Sequence, residues 1–266
     1  MRLISVEPQP FFRLRYLNAA RGGGTTSELL PFHRGTVDVL PPPLEGLVLA
    51  ADLQGVVPHP LTRESALLGV AVVEALSALG VPALETCGAL LAGDLYSVPE
   101  ANRRGGFGDV KPVWSAFASR FRWVVGVAGN HDDVTQVRNL PNTEVLDVSV
   151  VERDGLRIGG VGLVAGDANK PGRRSEAEQV AGLELVMAER PDVVVLHEGP
   201  SGPEGFPGNP ALRAGTGDAL VVCGHVHWPS ARWADDASIV NVCERVLVLT
   251  ASPPRAPAQR RRRSAF

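Results

Sequence analysis

Lysine is nearly absent: Lys111 and Lys170 are the only two among 26 basic residues. The arginine bias accompanies abundant Ala, Val and Gly, so it carries no functional weight. Cysteine is scarce and odd in number. Cys87, Cys223 and Cys243 all lie in apolar stretches, which argues against a disulfide framework and for a reducing compartment. No segment approaches ~18 consecutive apolar residues, so no membrane span is expected. The start, MRLISVEPQPFFRLRYLNAARGGG, lacks an apolar h-region with a small-residue cleavage site. These absences together give the expectation of a cytoplasmic protein. There is no internal repeat, no G-x-x-x-x-G-K-[ST] loop and no G-x-S-x-G elbow, which leaves nucleoside-triphosphatase and serine-hydrolase readings without support. Gly160-Val161-Gly162-Leu163-Val164-Ala165 fits the relaxed dinucleotide pattern. Gly166, Asp167, Pro171 and Gly172 follow, where the motif needs a helix opening at once.

What is present is a globular mixture, 44% hydrophobic and 21% charged, with a formal charge of -3. Five arginines and no acid fall in residues 253–266. That stretch lacks apolar periodicity and is expected to be a disordered basic tail, the only feature pointing, weakly, to nucleic acid or an anionic surface. Residues 1–45 read as an irregular N-terminal extension packed on the domain, with one strand around Phe11 to Leu17. Residues 46–252 carry the regular pattern of a single domain.

Within it, the short apolar run LVLAAD reads as a buried strand and Thr62 to Leu79 as a helix closed by Gly80 and Pro82. CGALLAGD is a strand, Lys111 to Phe121 a helix, and RWVVGVAGN a strand. Glu144 to Gly166 reads as two strands turning at Arg153-Asp154-Gly155, since Asp-Gly is a hairpin signal. Ser175 to Glu189 is a helix, DVVVLH a strand, Pro210 to Ala214 a brief helix and ALVVCGHVH a strand. SIVNV and RVLVLTA finish the sheet. The class is α/β, a mixed sheet covered by helices.

Five of these strands end on residue types that ligate metals. They are Asp52, Asp94, Asn130 followed by His131, His197, and the pair His225 and His227. Open α/β sheets bind ligands beyond the carboxyl ends of their strands, so one site can collect them all. Carboxylate, imidazole and amide oxygen together suit manganese, iron, zinc or similar ions better than a thiolate site does. His225 and His227 fall on one face if the strand continues through them; if it ends at Gly224, each can reach a different ion.

The ordered set Asp52-Leu53-Gln54-Gly55, Gly93-Asp94, Gly129-Asn130-His131-Asp132, His197 and Gly224-His225-Val226-His227 resembles the five motifs of the calcineurin-like metallophosphoesterase family. The resemblance implies a sandwich of two mixed β-sheets flanked by helices. It implies two divalent ions, manganese first, with iron, zinc, nickel or cobalt as alternatives. Asp52, Asp94, His227 and Gln54 would hold the first ion; Asp94 would bridge to a second held by Asn130, His197 and His225. His131, oriented by Asp132, would face the leaving group of a small or medium phosphoester, mono- or diester. Gln54 departs from the family's usual His and makes a weaker ligand. That departure supports a rival reading, a noncatalytic interaction module on the same fold, whereas His131 and Asp132 support catalysis. Tyr96 is similar to the tyrosine ligand of purple acid phosphatases but stands two residues after Asp94 rather than three. His59 is read as an exposed loop residue. Arg103-Arg104 and Arg173-Arg174 lie on loops near the site mouth and are read as solvated surface. Asn241-Val242-Cys243-Glu244 keeps only part of the family's segment after the last histidines.

Overall fold

The computed structural model describes residues 1–58, 64–80, 82–103, 105–202, 205–213, 215–228, 234–235 and 239–252. His59, Arg104 and the basic tail lie outside the described residues.

In chain order the strands of the first half are β1 (Leu3–Val6), β2 (Phe12–Ala19), β3 (Thr25–Val37), β4 (Gly46–Ala51), β5 (Val56–Pro58), β6 (Ser65–Leu67), β7 (Cys87–Leu91), β8 (Gly108–Asp109), β9 (Trp123–Val127) and β10 (Asp132–Asp133). Those of the second half are β11 (Thr143–Leu146), β12 (Ser149–Arg153), β13 (Leu156–Val161), β14 (Val164–Ala165), β15 (Arg173–Arg174), β16 (Val193–Glu198), β17 (Leu220–Gly224), β18 (Ala234–Asp235), β19 (Ile239–Asn241) and β20 (Arg245–Ala251). The α-helices are α1 (Leu68–Leu79), α2 (Lys111–Ala118), α3 (Glu176–Ala188) and α4 (Pro210–Arg213).

Two mixed sheets result. The first runs β11-β9-β7-β4-β20-β3-β2-β5-β6, with β1 on β3; the second runs β12-β13-β16-β17-β19-β18. In β4 every residue is buried, because alternate side chains serve two different cores. Leu47, Leu49 and Ala51 face the second sheet and meet Val193, Val195, Leu220 and Val222. Val48 and Ala50 face the other way, onto Leu68, Val72 and Leu76 of α1 and Trp114 and Phe117 of α2. The outer face of the second sheet, including Val194, Leu196 and Val221, is covered by Leu183 and Val186 of α3. A strand buried on both faces must be apolar throughout, which is why these segments read as continuous runs rather than alternations. The protein is α/β, with mixed sheets and helices on the outside.

Several expectations need correction. The segment read as irregular contains three strands. β2 and β3 form an antiparallel hairpin, and β3 pairs in parallel with β20 in the interior of the first sheet. The helix expected from Thr62 begins at Leu68, because Ser65–Leu67 pairs with Val56–Pro58 as β6 on β5. Arg153-Asp154-Gly155 does turn the antiparallel β12–β13 hairpin. Thr143–Leu146 instead pairs with β9, in the other sheet. SIVNV and RVLVLTA likewise part company, β19 joining the second sheet and β20 the first. No helix opens after Ala165; the chain forms β14 and β15 before α3. Ser175 caps α3 through a reciprocal box with Glu178. Among the described residues no helix is long and apolar enough to cross a membrane.

Candidate metal centre

The ligand-type residues gather at the carboxyl ends of strands from both sheets. Asp52 follows β4, Asp94 stands three residues beyond β7, and Asn130 and His131 follow β9; His197 lies in β16 and His225 just past β17. Asp52, Asp94 and His225 adopt left-handed backbone, with φ of 54°, 54° and 62°. Residues with a Cβ seldom do so, and such strain persists where the surroundings fix it. Here the turns crowd together. A side chain at Gly129 would strike the Asp94 carboxylate and backbone, and one at Gly93 would come within 2.7 Å of His197 Nδ1.

Asp94, His197 and His225 present ligand atoms that all lie within 4.8 Å of one another. His197 is fully buried, and its Nδ1–H donates to the Ala92 carbonyl at 2.7 Å, which leaves Nε2 facing the centre. Nε2 lies 3.2 Å from Asn130 Oδ1 and 3.4 Å from Asp94 Oδ1. Three acceptor atoms thus converge, an arrangement that repels itself unless a cation or a proton stands among them. Burial works against the His197 imidazolium, but the charges of Asp94 and Asp52 outweigh it and push the pKa up to about 10. Asp94 shows the reciprocal effect: burial raises it, yet His197 and His131 hold it below the usual carboxylate range. Burial and the neighbouring His197 charge drive His225 down to about 4, so it is neutral and able to ligate. Burial, with repulsion from Asp94, raises Asp52 to about 7.

The donor set therefore fits a divalent cation. A metal-ligating histidine ordinarily donates its other ring N–H to a carbonyl or carboxylate, as His197 does to Ala92. One cluster of this type is present among the described residues.

The remaining sequence candidates divide. Asp52 is buried and its Oδ2 accepts the His225 N–H at 2.8 Å. Gln54 lies 3.4 Å from Asp94 Oδ2 through its amide nitrogen. The strand carrying the last histidines ends at Gly224, and His225 and His227 diverge. His227 is outside the cluster; its side chain is 68% exposed, with Nδ1 3.3 Å from Glu244 Oε2 and 3.7 Å from Cys243 Sγ. His131 stands 3.9 Å from Asp94 Oδ2, and its backbone N–H donates to Asp94 Oδ1.

Asp132 does not orient His131. Its Oδ1 accepts the N–H groups of Leu95 and Tyr96, and its Oδ2 accepts that of Gly129. It ties the turn after β7 to the turn after β9. The orienting contact on His131 Nδ1 is instead the Gly106 carbonyl. A buried carboxylate facing backbone donors has no signature in a linear sequence, whereas Asp beside His invites pairing.

A cavity of about 180 Å³ adjoins the cluster on the side of Gln54 and His131, lined by these two with Arg103, His227, Glu244 and Asn18 of β2. Arg103, read as surface, thus reaches the mouth. Asn18 and Glu244 were missed. Asn18 belongs to the segment read as irregular, and Glu244 to the partly kept segment at 241–244. Tyr96 also lines the cavity, its ring packed against Gly106 and Gly108. Arg174 pairs with Asp147, and Arg173 packs on Gly166.

Neither a family model nor a curated protein matches the sequence. Among solved structures the chain is similar to a protein of unknown function, AQ665, from Aquifex aeolicus, at 15% identity and a TM-score of 0.38, over 76% of this chain and 95% of that one.

Proposed function

We propose that the chain is a calcineurin-like metallophosphoesterase, with the corresponding two-sheet sandwich, that hydrolyses a small or medium phosphate mono- or diester using two divalent ions. The observation that carries this reading is the convergence of Asp94, Asn130, His197 and His225 at strand ends from both sheets, with His131 beside them. Asp94, Asn130, His197 and His225 would hold one ion; Asp52, Gln54, Asp94 and His227 would hold the other, as the family resemblance implies. When bound, the ions supply activation of a water and neutralisation of the phosphoryl oxygens during in-line displacement.

The chain's own residues do the rest. Ala92 fixes the His197 tautomer so that Nε2 is the presented atom. Asp132 holds the turns that carry Asp94 and Asn130 in register. His131 faces the cavity, steadied by Gly106, where its Nε2–H can protonate a departing oxygen, an effect worth ~10² to 10⁴ in rate. Arg103 at the rim offers a guanidinium fork suited to a phosphate. Three buried free cysteines support the expectation of a reducing, cytoplasmic compartment.

The test is turnover of p-nitrophenyl phosphate and bis-p-nitrophenyl phosphate by metal-analysed protein, before and after chelation and after manganese is returned. Activity lost on chelation and restored by manganese is expected. Full activity without residual metal refutes the reading, and a metal-loaded protein inert across a broad phosphoester panel favours the noncatalytic module.

A further inference from the structure

We propose that the groove beside His225 receives the substituent that stays on phosphorus, making the substrate a phosphodiester, and that Glu198 accepts hydrogen bonds there from hydroxyl groups of that substituent. The inference rests on the phosphoesterase reading of the centre and needs only the converging set Asp94, His197 and His225.

Two cavities adjoin the cluster through different residues. His131, which stands 3.9 Å from Asp94 Oδ2, lines the cavity of about 180 Å³, and in the reading above the leaving group is protonated there. His225 lines a second, open groove of about 650 Å³ that extends to the start of α3 at Ser175 and Glu176. Sites for a whole organic group span ~300–1,000 Å³, and the groove falls within that range. A monoester has one organic substituent, and its departure past His131 leaves the groove without an occupant. A diester fills both.

The walls of the groove select the chemistry of the second substituent. Glu198 and Glu176 line it, and no lysine or arginine does among the described residues, so an anionic group is repelled. An ammonium group would meet a cation at the cluster end and Arg173, packed on the Gly166 wall, at the side. A neutral donor of hydrogen bonds, a hydroxylated group, is compatible with both. Ala165, Pro210 and Val226 supply apolar surface for its carbon frame.

Glu198 is positioned for the contact. Alternation along β16 sends His197 to the cluster and Glu198 to the other face, level with Gly224, the neighbour of His225. Its Oε2 accepts the Ala165 N–H at 2.9 Å, and its Oε1 lies 3.4 Å from Asn209 Nδ2. Asn209 is itself buried, and its Oδ1 accepts the Ala211 N–H at 2.9 Å, which fixes the direction of its amide. A carboxylate has roughly four lone-pair sites, so about two remain for a ligand on a side chain already held in place.

The experiment measures kcat and KM of the metal-analysed full chain on p-nitrophenyl phosphate, bis-p-nitrophenyl phosphate, uridine 5′-(p-nitrophenyl phosphate) and p-nitrophenyl phosphorylcholine. All release the same leaving group, so only the retained substituent differs. The uridine diester is expected to exceed the others by at least ~10-fold in kcat/KM, mostly through KM, as one hydrogen bond to a charged group allows. Glu198→Gln keeps an oxygen for the Ala165 N–H and should erase the advantage of the uridine diester over bis-p-nitrophenyl phosphate. Ala165→Leu narrows the groove from a partly exposed position and should lower every diester against the monoester. It keeps the test decisive if a thermal melt shows that Glu198→Gln does not fold. A monoester preferred over every diester, or a diester-to-monoester ratio unmoved by Ala165→Leu, overturns the groove assignment. A uridine diester no better than bis-p-nitrophenyl phosphate, a preference for the phosphorylcholine ester, or a folded Glu198→Gln that keeps the uridine advantage overturns the role of Glu198. Metal-loaded wild type that turns over none of the four overturns the phosphoesterase reading itself.

Discussion

Replacing Asp132 with Asn separates a structural role from a catalytic one. The Asp132 carboxylate accepts three backbone N–H groups, from Leu95 at 2.8 Å, Tyr96 at 3.1 Å and Gly129 at 3.0 Å. An Asn can turn its oxygen to the Leu95 and Tyr96 pair, but its NH₂ then faces the Gly129 N–H. One buried donor is left opposed by another, at ~1–3 kcal/mol. Loss of the charge works the other way. Burial, with repulsion from Asp94, raises the Asp132 carboxyl to about 6 in the folded chain. A raised folded pKa means that stability is fully present below the unfolded value and is lost as pH rises through about 6. Asn escapes that loss, so the gap between wild type and Asp132→Asn should narrow by about 1 kcal/mol between pH 5 and pH 7. Urea denaturation of the metal-free proteins at the two pH values reads both effects. An unchanged midpoint at both, together with a fall in turnover alone, would refute the structural assignment and return Asp132 to orienting His131.

Two further outcomes are expected. His131→Ala keeps the backbone N–H that holds Asp94, so turnover should fall by ~10² to 10⁴ with metal content unchanged; a lost metal equivalent would make His131 a ligand. Metal uptake must displace the His197 proton, so affinity should rise ~10-fold per pH unit above neutrality, and calorimetry in buffers of different ionisation enthalpy should report proton release. The same group makes the metal-free fold lose stability as pH climbs from 6.5 toward 10, and affinity flat across that window would sink the argument.

Much of the fold could be read from the sequence wherever burial was two-sided. The runs around Leu47–Ala51, Val124–Val127, Val193–Leu196 and Leu220–Cys223 are apolar at every position because each is covered on both faces. β2 and β3 were obscured for the opposite reason. FRLRYLNA and TTSELLPFHRGTV mix arginine, glutamate and threonine with apolar residues, since much of their length is exposed on one face. Sheet membership was the other blind spot. Thr143–Leu146 and Ser149–Arg153 are sequence neighbours in different sheets, and only long-range pairing decides that. At the site, residue types at strand ends pointed to one crevice, and Asp94, Asn130, His197 and His225 do lie together. Orientation was not legible. The direction of His227 and the partners of Asp132 depend on turns with left-handed residues, and nothing in the composition marks those.

The two sheets are fastened differently at their two ends. At the amino ends of the parallel strands, Asp154 of the β12–β13 turn accepts from Arg122 and from the Trp123 indole N–H, joining the second sheet to the first through protein groups alone. At the carboxyl ends the bridging groups include Asp52 and Asp94 from one sheet and His197 and His225 from the other. An ion bound there is a cross-link as well as a reagent, and it adds RT ln(1 + [L]/Kd) to the free energy of keeping that rim closed. Hydrogen exchange should therefore respond to metal asymmetrically, slowing at the strand ends beside Asp94 and His197 while the Trp123–Asp154 end stays as it was.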